Sequence, residues 1–524
     1  MTKNEIHYHR INPTNQLQVL SLPGHKSKSP SSKSLYIYYP PSLPLNMESL
    51  LDQADALVLS AGEEGPERPN FQIPEELTNL ASPNSDCLEI RENPNKGKGW
   101  FSKVDISAGS TILVSKALVC ALDLEYIAGN AEDNIVDDDD DNDNDMEQKD
   151  EDQGSTVNEL LVLDLLQNIL DNPSIWLEQL SNLYPREEVD IKASPVWISK
   201  DDEVFSQFEA MVDQIENIPV LRGKSKEISK RLPLIIRYNV LSIETCPELL
   251  SHPGPTGHHP LSGLGLYYWP SFFNHDSRPN ISRYAVGDIM WFVANQNIAA
   301  GNELCISYLE QDVLCENSYR RNCMLTLDFK EDEDPNHFMA EEDNEGPSYP
   351  VVDSDVQNEL MAMNPFERLD AINELIQQAV GESLPDGEDG DIDDVENDRM
   401  DAQGSSWFEC DLQNLRILKA ITLETSGQSE KALQIWEECV QFTETKMPPN
   451  DENSIVMRVQ AALCSLNLNK DMLAQQHADV ALQRHNLIFG GGVRRFRRRY
   501  RQDFRLNLRP NIGSEVEEKL WPYS

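Results

Sequence analysis

Residues 263–280 read Gly-Leu-Gly-Leu-Tyr-Tyr-Trp-Pro-Ser-Phe-Phe-Asn-His-Asp-Ser-Arg-Pro-Asn, and residues 301–308 read Gly-Asn-Glu-Leu-Cys-Ile-Ser-Tyr. An aromatic run leads straight into Asn274-His275, and Pro279-Asn280 supplies a turn. Gly287-Asp288 supplies a second turn, and residues 289–294 have the β-branched and aromatic composition of a strand. A third turn at Gly301-Asn302 leads into residues 304–308, predicted as a short strand ending in the phenol of Tyr308.

Upstream of this stretch, order is expected from about Cys87. Residues 88–91 alternate as a strand, Lys96-Gly97-Lys98-Gly99 makes a tight turn, and Trp100-Phe101 opens the next strand. The β pattern continues through residues 112–114 and 117–121, beyond a turn at Ala108-Gly109. A G-x-G by itself marks only a turn. Residues 157–245 read as helices, with apolar faces at 159–170, 205–215 and 228–243, the last interrupted by Pro233.

Taken together these motifs resemble the SET domain of protein lysine methyltransferases. Its signature joins Asn-His-Ser-x-x-Pro-Asn to Gly-Glu-Glu-Leu-x-x-x-Tyr. Asn274, His275, Pro279 and Asn280 match the first half, and Gly301, Glu303, Leu304 and Tyr308 the second. Asp276 stands in place of the Ser and Asn302 in place of the first Glu. The 96–99 turn and Asp105-Ile106-Ser107-Ala108-Gly109 resemble the segment with which such domains begin.

The resemblance implies an α+β fold of small β-sheets with knot-like threading, split by an acidic segment (131–153) and a helical insertion (157–245). It implies S-adenosylmethionine as cofactor. The backbone of Lys96, Gly97 and Lys98 would approach the methionine end, Asn274 and His275 would hold the adenosine part, and Ser271 would add a hydrogen bond. Asn239 resembles the asparagine that reaches back to the cofactor, with a local bond to nearby backbone as the competing reading. Phe329 would stack over the cofactor, and Tyr308 would touch both cofactor and substrate.

The chemistry supports the same assignment from below. A lysine amine, with an ordinary pKa near about 10.4, is no nucleophile while protonated. It must lose its proton, shed water and meet a sulfonium methyl in line, and an apolar aromatic-walled channel lowers its pKa by desolvation. Leu241, Tyr267, Tyr268, Phe273 and Tyr308 are the candidate walls, ordinary core packing being the competing reading for the aromatics. Tyr308 is the catalytic candidate, since its hydroxyl can orient the amine.

The arrangement also resembles the SET-and-MYND group, but no cysteine-rich finger is present, and Lys330-Glu-Asp-Glu-Asp-Pro follows Phe329 where related enzymes carry a Cys-x-Cys-x-x-Cys zinc knot. The nine cysteines are dispersed, with no C-x-x-C or C-x-C pair, so no metal site is expected. Without that knot the segment closing the pocket is expected to be more mobile.

The chain of 524 residues has room for two or three domains. Its net charge of -46 opposes binding to a nucleic-acid backbone and suits basic proteins or lysine-bearing tails. Residues 1–84 lack sustained periodicity and are expected to be disordered; 331–403 read as an acidic linker with one helical piece at 357–379. Residues 404–490 read as four helical segments forming two hairpins, resembling tetratricopeptide-like pairs. Gly427 is predicted to stop the first and Ser429 to cap the second.

The tail, 491–524, inverts the charge with Val493-Arg-Arg-Phe-Arg-Arg-Arg-Tyr, read as docking on the chain's own acidic groups in preference to nucleic acid. Scattered thiols and the lack of a membrane-length apolar run or signal-type segment predict a soluble protein of the nucleus or cytoplasm. Two other classes remain open: a catalytically silent SET scaffold and a peptide-binding helical adaptor.

Overall fold

A computed structural model describes residues 87–122 except 95, residue 161, 164–169, 171, 172, 174–186, 190, 225–243 (side chains from 231), 263–309, 311–317, 321, 325, 352, 354–381, 409–500 and 513–522. The expected disorder at 1–84, the acidic segment 131–153, the helix at 205–215 and Phe329 lie outside these residues. The described residues fall into two compact units, one running to Ile306 with Leu325, the other beginning at Ser307.

The first unit is built on three small sheets. Strands β1 (Leu88–Asn93) and β2 (Gly97–Ser102) form a hairpin, in register from Leu88↔Ser102 to Asn93↔Gly97. Gly97, at φ +77°, occupies the left-handed region that the tight turn requires. β3 (Thr111–Lys116) pairs with β9 (Ile289–Ala294), which pairs with β8 (Ile281–Val286) through the predicted turn at Gly287-Asp288. Every residue of β9 is buried. Tyr284 and Trp291 stand opposite one another and stack at 5.6 Å, a cross-strand pair that stabilises the hairpin.

The third sheet has β6 (Gly263–Leu266) between β4 (Val119–Leu122) and β5 (Val240–Ile243). Here the structure corrects one boundary. Apolar residues at 228–243 suggest a single helix, but helix α1 (Ser225–Asn239) stops at Asn239 and the chain continues as β5. Val240 and Ile243 find ladder partners in Leu266 and Gly263, and those bonds outweigh helical periodicity in a short β-branched run. Arg231, 3% exposed, spends its guanidinium on the Pro185 and Ser181 carbonyls, both at 2.9 Å, so the buried charge is solvated by backbone.

The second unit is helical. The helical piece expected in the acidic linker is two helices, α2 (Ser354–Ala362) and α3 (Pro365–Gly381), broken where Pro365 opens the second. Leu360, Ile372 and Ala379 from this pair bury against Leu412, Leu415 and Leu418 of α4 (Glu409–Thr425). Then come α5 (Ser429–Lys446), α6 (Glu452–Asn467) and α7 (Asp471–Ile488), joined by short connections.

Gly427 lies past the end of α4 at φ +74°, as a C-terminal glycine does. Ser429 is the first residue of α5 and not its cap; Gln428 holds the cap position without a side-chain bond. Asp451 caps α6, accepting from the Asn453 amide at 2.8 Å. Ala474, Ala478 and Ala481 are completely buried on α7, which allows close approach to α6.

The segment after Ile306 belongs to this helical unit. Leu314 and Cys315 bury with Met447, and Leu309, Cys410 and Phe442 pack around them. Glu316, 1% exposed, accepts from the Cys410 amide at 2.8 Å and so fills an open donor at the start of α4. Leu309 and residues 314–316 are therefore tied down by helices; most of the closing segment 316–329, expected to be more mobile, lies outside the described residues.

The basic run forms helix α8 (Gly492–Arg499), and its arginines pair with the chain's own carboxylates. Arg497 Nη2 lies 2.9 Å from Glu517 on α9 (Gly513–Leu520), and Arg499 Nε 2.6 Å from Glu452. Both pairs are largely enclosed; Arg499 grips both oxygens of Glu452, the bidentate arrangement in which such pairs are strongest, while Arg497 directs two nitrogens at a single oxygen of Glu517.

One partly buried cluster in this unit, centred on the buried His477, predicts a pH response. Glu444 accepts from Arg458 and Arg484, and Arg458 Nη1 lies 3.3 Å from His477 Nδ1. Burial, and then the Arg458 charge, push the His477 imidazole down to about 4, with Glu444 opposing. The unfolded ring binds its proton near about 6.5. This contribution to stability is therefore full above about pH 6.5, is lost as the pH falls through that window, and levels off below about 4. The urea midpoint of the helical unit should drop between pH 7 and pH 4.5, and His477→Gln should flatten that drop. An unchanged slope in the variant would refute the assignment.

Candidate functional site

β10 (Glu303–Ile306) is the meeting point of the two halves of the motif. It runs antiparallel to β2, with Glu303 opposite Phe101 and Leu304 opposite Trp100, and parallel to β7 (Asn274–His275), with Cys305 opposite Asn274 and Ile306 opposite His275. The amide of Asp276 donates to the Ile306 carbonyl at 3.0 Å. Thus two segments well separated in sequence become hydrogen-bonded neighbours. Asn280, at the Pro279-Asn280 turn, fixes this return: its Nδ2 donates to the Glu303 carbonyl at 2.8 Å and its Oδ1 accepts from the Cys305 amide at 2.9 Å.

Side chains tighten the junction. Asn274 Nδ2 donates to Glu303 Oε1 at 2.7 Å, and Asn93 Nδ2 donates to Glu303 Oε2 at 2.8 Å, so one carboxylate ties β1, β7 and β10. Lys96 Nζ donates to the His275 carbonyl at 3.2 Å, linking the β1–β2 turn to the Asn-His pair. A Cβ on Gly99 would overlap the Glu303 carboxylate and the Asn274 amide nitrogen, so glycine is what lets these groups lie over β2. Trp100 Nε1 donates to the Trp269 carbonyl at 3.0 Å, with Trp269 and Phe272 rings against the Trp100 indole at 5.9 and 6.1 Å. The aromatic run before Asn274 is thereby fixed to the same strand.

The structure thus brings together Lys96, Gly97, Lys98, Asn274 and His275. Asn239 ends α1, with Nδ2 donating to the carbonyls of Tyr184 at 2.7 Å and Ile235 at 2.8 Å, the local bonding that was its competing reading. Ser271 donates its hydroxyl to the Tyr267 carbonyl at 2.5 Å. Tyr308 follows the end of β10 by two residues, is half-buried, and belongs to the helical unit.

The four remaining channel candidates divide in two. Tyr267 is fully enclosed, and Phe273 stacks on Phe292 at 4.8 Å inside the core. Leu241, opposite Gly265 in β5, and Tyr268, packed on Trp269 and Phe272, keep partial exposure. Burial, with the negative charge of Asp288 and then Cys120, pushes the Tyr267 hydroxyl well above its ordinary range, Arg283 opposing. It stays protonated and is no proton acceptor. Asp288 is raised to about 6 by burial despite Lys116 Nζ at 3.5 Å.

Two residues of the junction do not stand out from sequence. Asn93 carries no motif signal, and Glu303 reads only as part of the Gly-x-Glu-Leu pattern; its role emerges from pairing across strands. Among the described residues, no group of three or more His, Cys, Asp or Glu is placed to hold a metal ion. Among them, too, no helix is long and apolar enough to cross a membrane.

Residues 97–309 match the family model of the SET domain. A solved structure of the SET domain of LSMT bound to lysine and AdoHcy is similar over 84% of this chain and 95% of that chain, at 12% identity and a TM-score of 0.26. No curated protein matches the chain.

Proposed function

We propose, from a chain whose residues 97–309 form a SET domain of small sheets followed by a helical region, that the protein is an S-adenosylmethionine-dependent protein lysine N-methyltransferase. The observation that carries the reading is the parallel pairing of Asn274-His275 with Cys305-Ile306, which joins the two halves of the motif at one place. The cofactor, when bound, supplies a sulfonium methyl as electrophile.

The residues present fit that group. A glycine turn at Gly97 brings main chain close, the Lys96 ammonium lies beside the His275 carbonyl, and the Asn274 amide is oriented by a carboxylate. Lys96, Gly97, Lys98, Asn274 and His275 would hold the cofactor, with Ser271 and Phe329 as further contacts. Leu241 and Tyr268 would wall the lysine channel, with Tyr267 and Phe273 supporting them from the core. Desolvation there lowers the amine pKa and so favours its neutral, nucleophilic form. Tyr308 would orient the amine through its hydroxyl, and its ring would exclude water. The aromatic walls also tolerate the methylated ammonium product. The substrate is a protein lysine, and a basic segment suits the net charge of -46.

Incubating the full chain with methyl-labelled S-adenosylmethionine and a cell extract should place label on lysine, detected as N-methyllysine after hydrolysis. Label absent from lysine while the cofactor binds normally would favour the silent scaffold instead. A second expectation concerns Gly99. Gly99→Ala should fold, because its methyl meets only side-chain ends, yet it should displace Asn274 and weaken S-adenosylhomocysteine binding about tenfold in equilibrium dialysis. Wild-type affinity in this variant would contradict the placement of Asn274 at the cofactor.

A further inference from the structure

We propose that Glu303 is a positioning residue: its carboxylate fixes which way the Asn274 amide faces and so sets the acceptor that Asn274 offers the cofactor. The inference rests on the methyltransferase reading but concerns a residue outside the predicted contacts. An ionised carboxylate only accepts hydrogen bonds. Glu303 takes one from Asn274 Nδ2 at 2.7 Å and one from Asn93 Nδ2 at 2.8 Å, so both amides must turn their nitrogens inward. The Asn274 amide is thereby held in one of its two orientations, with Oδ1 as the acceptor at its other end.

Glu303 is itself held from several sides. Its carbonyl accepts from Asn280 Nδ2, its backbone pairs with Phe101 in β2, and Gly99 leaves the room its carboxylate occupies. A freely rotating asparagine on a loop would offer oxygen or nitrogen according to the moment. Here the choice is made before the ligand arrives, which removes the cost of ordering that side chain on binding.

The test is a rescue, read as S-adenosylhomocysteine affinity by calorimetry on the full chain, with thermal melting to confirm folding. Glu303→Ala should weaken binding about tenfold. Asn274→Asp keeps an acceptor for the ligand but sets two carboxylates against each other, and should lose at least as much. Adding Glu303→Gln to Asn274→Asp restores every bond: the amide nitrogen of the introduced glutamine donates to the new carboxylate, and its oxygen accepts from Asn93. The double variant should recover to within a few-fold of wild type.

Wild-type affinity in Glu303→Ala, or a double variant no tighter than Asn274→Asp alone, would overturn the proposal. Should Glu303→Ala fail to fold, the comparison of Asn274→Asp with the double variant decides. A wild-type chain that binds no S-adenosylhomocysteine would instead sink the methyltransferase reading itself.

Discussion

Replacing Tyr308 by phenylalanine is expected to lower turnover on a lysine substrate by about 10²-fold or more, while S-adenosylhomocysteine affinity stays within about twofold of wild type. The ring and nearly all of the side-chain volume are retained. Only the hydroxyl is lost, the group proposed to orient the amine toward the methyl. Tyr308 comes two residues after β10, beyond the strand that pairs with Asn274-His275, and continues into a segment secured by Leu314, Cys315 and Glu316. Single-turnover transfer of labelled methyl, alongside calorimetry, separates the two effects. Turnover equal to wild type would remove Tyr308 from the chemistry, and a parallel loss of cofactor affinity would make its role structural.

The second large effect concerns stability. Trp436→Ala should destabilise the helical unit by about 3–5 kcal/mol. The indole is almost wholly buried, and its Nε1 donates to Glu424 Oε1 at 2.6 Å. Burial raises the Glu424 carboxyl, and the bonds from Trp436 and Cys464 counter that rise. Truncation therefore leaves both a cavity and a buried carboxyl short of a donor. Because whole domains are stable by only about 5–15 kcal/mol, the loss would remove much of the array's stability. Trp436→Phe, which keeps most of the volume but not the donor, should cost about 1–3 kcal/mol. Denaturant melts followed by circular dichroism would measure both, and a loss below about 1 kcal/mol for Trp436→Ala would contradict this packing.

Local signals in the sequence are strong where turn chemistry and side-chain pattern agree. The Gly287-Asp288 hairpin, the Gly97 turn and the helix stop at Gly427 each require a backbone that few residues adopt. The helices of residues 409–488 are legible because apolar residues recur at helical spacing over four turns or more. Legibility fails where tertiary partners decide. Residues 240–243 are apolar enough for either state, and only pairing with β6 makes them a strand. Ser429 carries cap chemistry, but the chain enters the helix one residue earlier.

The same division holds at the site. Asn274 and His275 stand out as a motif, and the structure sets them beside β10. Glu303 and Asn93 could not be joined in advance, because they are 210 positions apart and meet only through the β1–β2–β10–β7 order. Tyr267 and Phe273 look like channel walls by composition. Their enclosure is a consequence of neighbouring strands that no local pattern announces.

The most direct measurement is a calorimetric titration of S-adenosylhomocysteine into the full chain and into Asn274→Ala. Saturable binding at one site per chain, weakened at least about tenfold in the variant, is the predicted result. No heat of binding in the wild type, or the same affinity in both proteins, would contradict the claim that the paired motif forms the cofactor site.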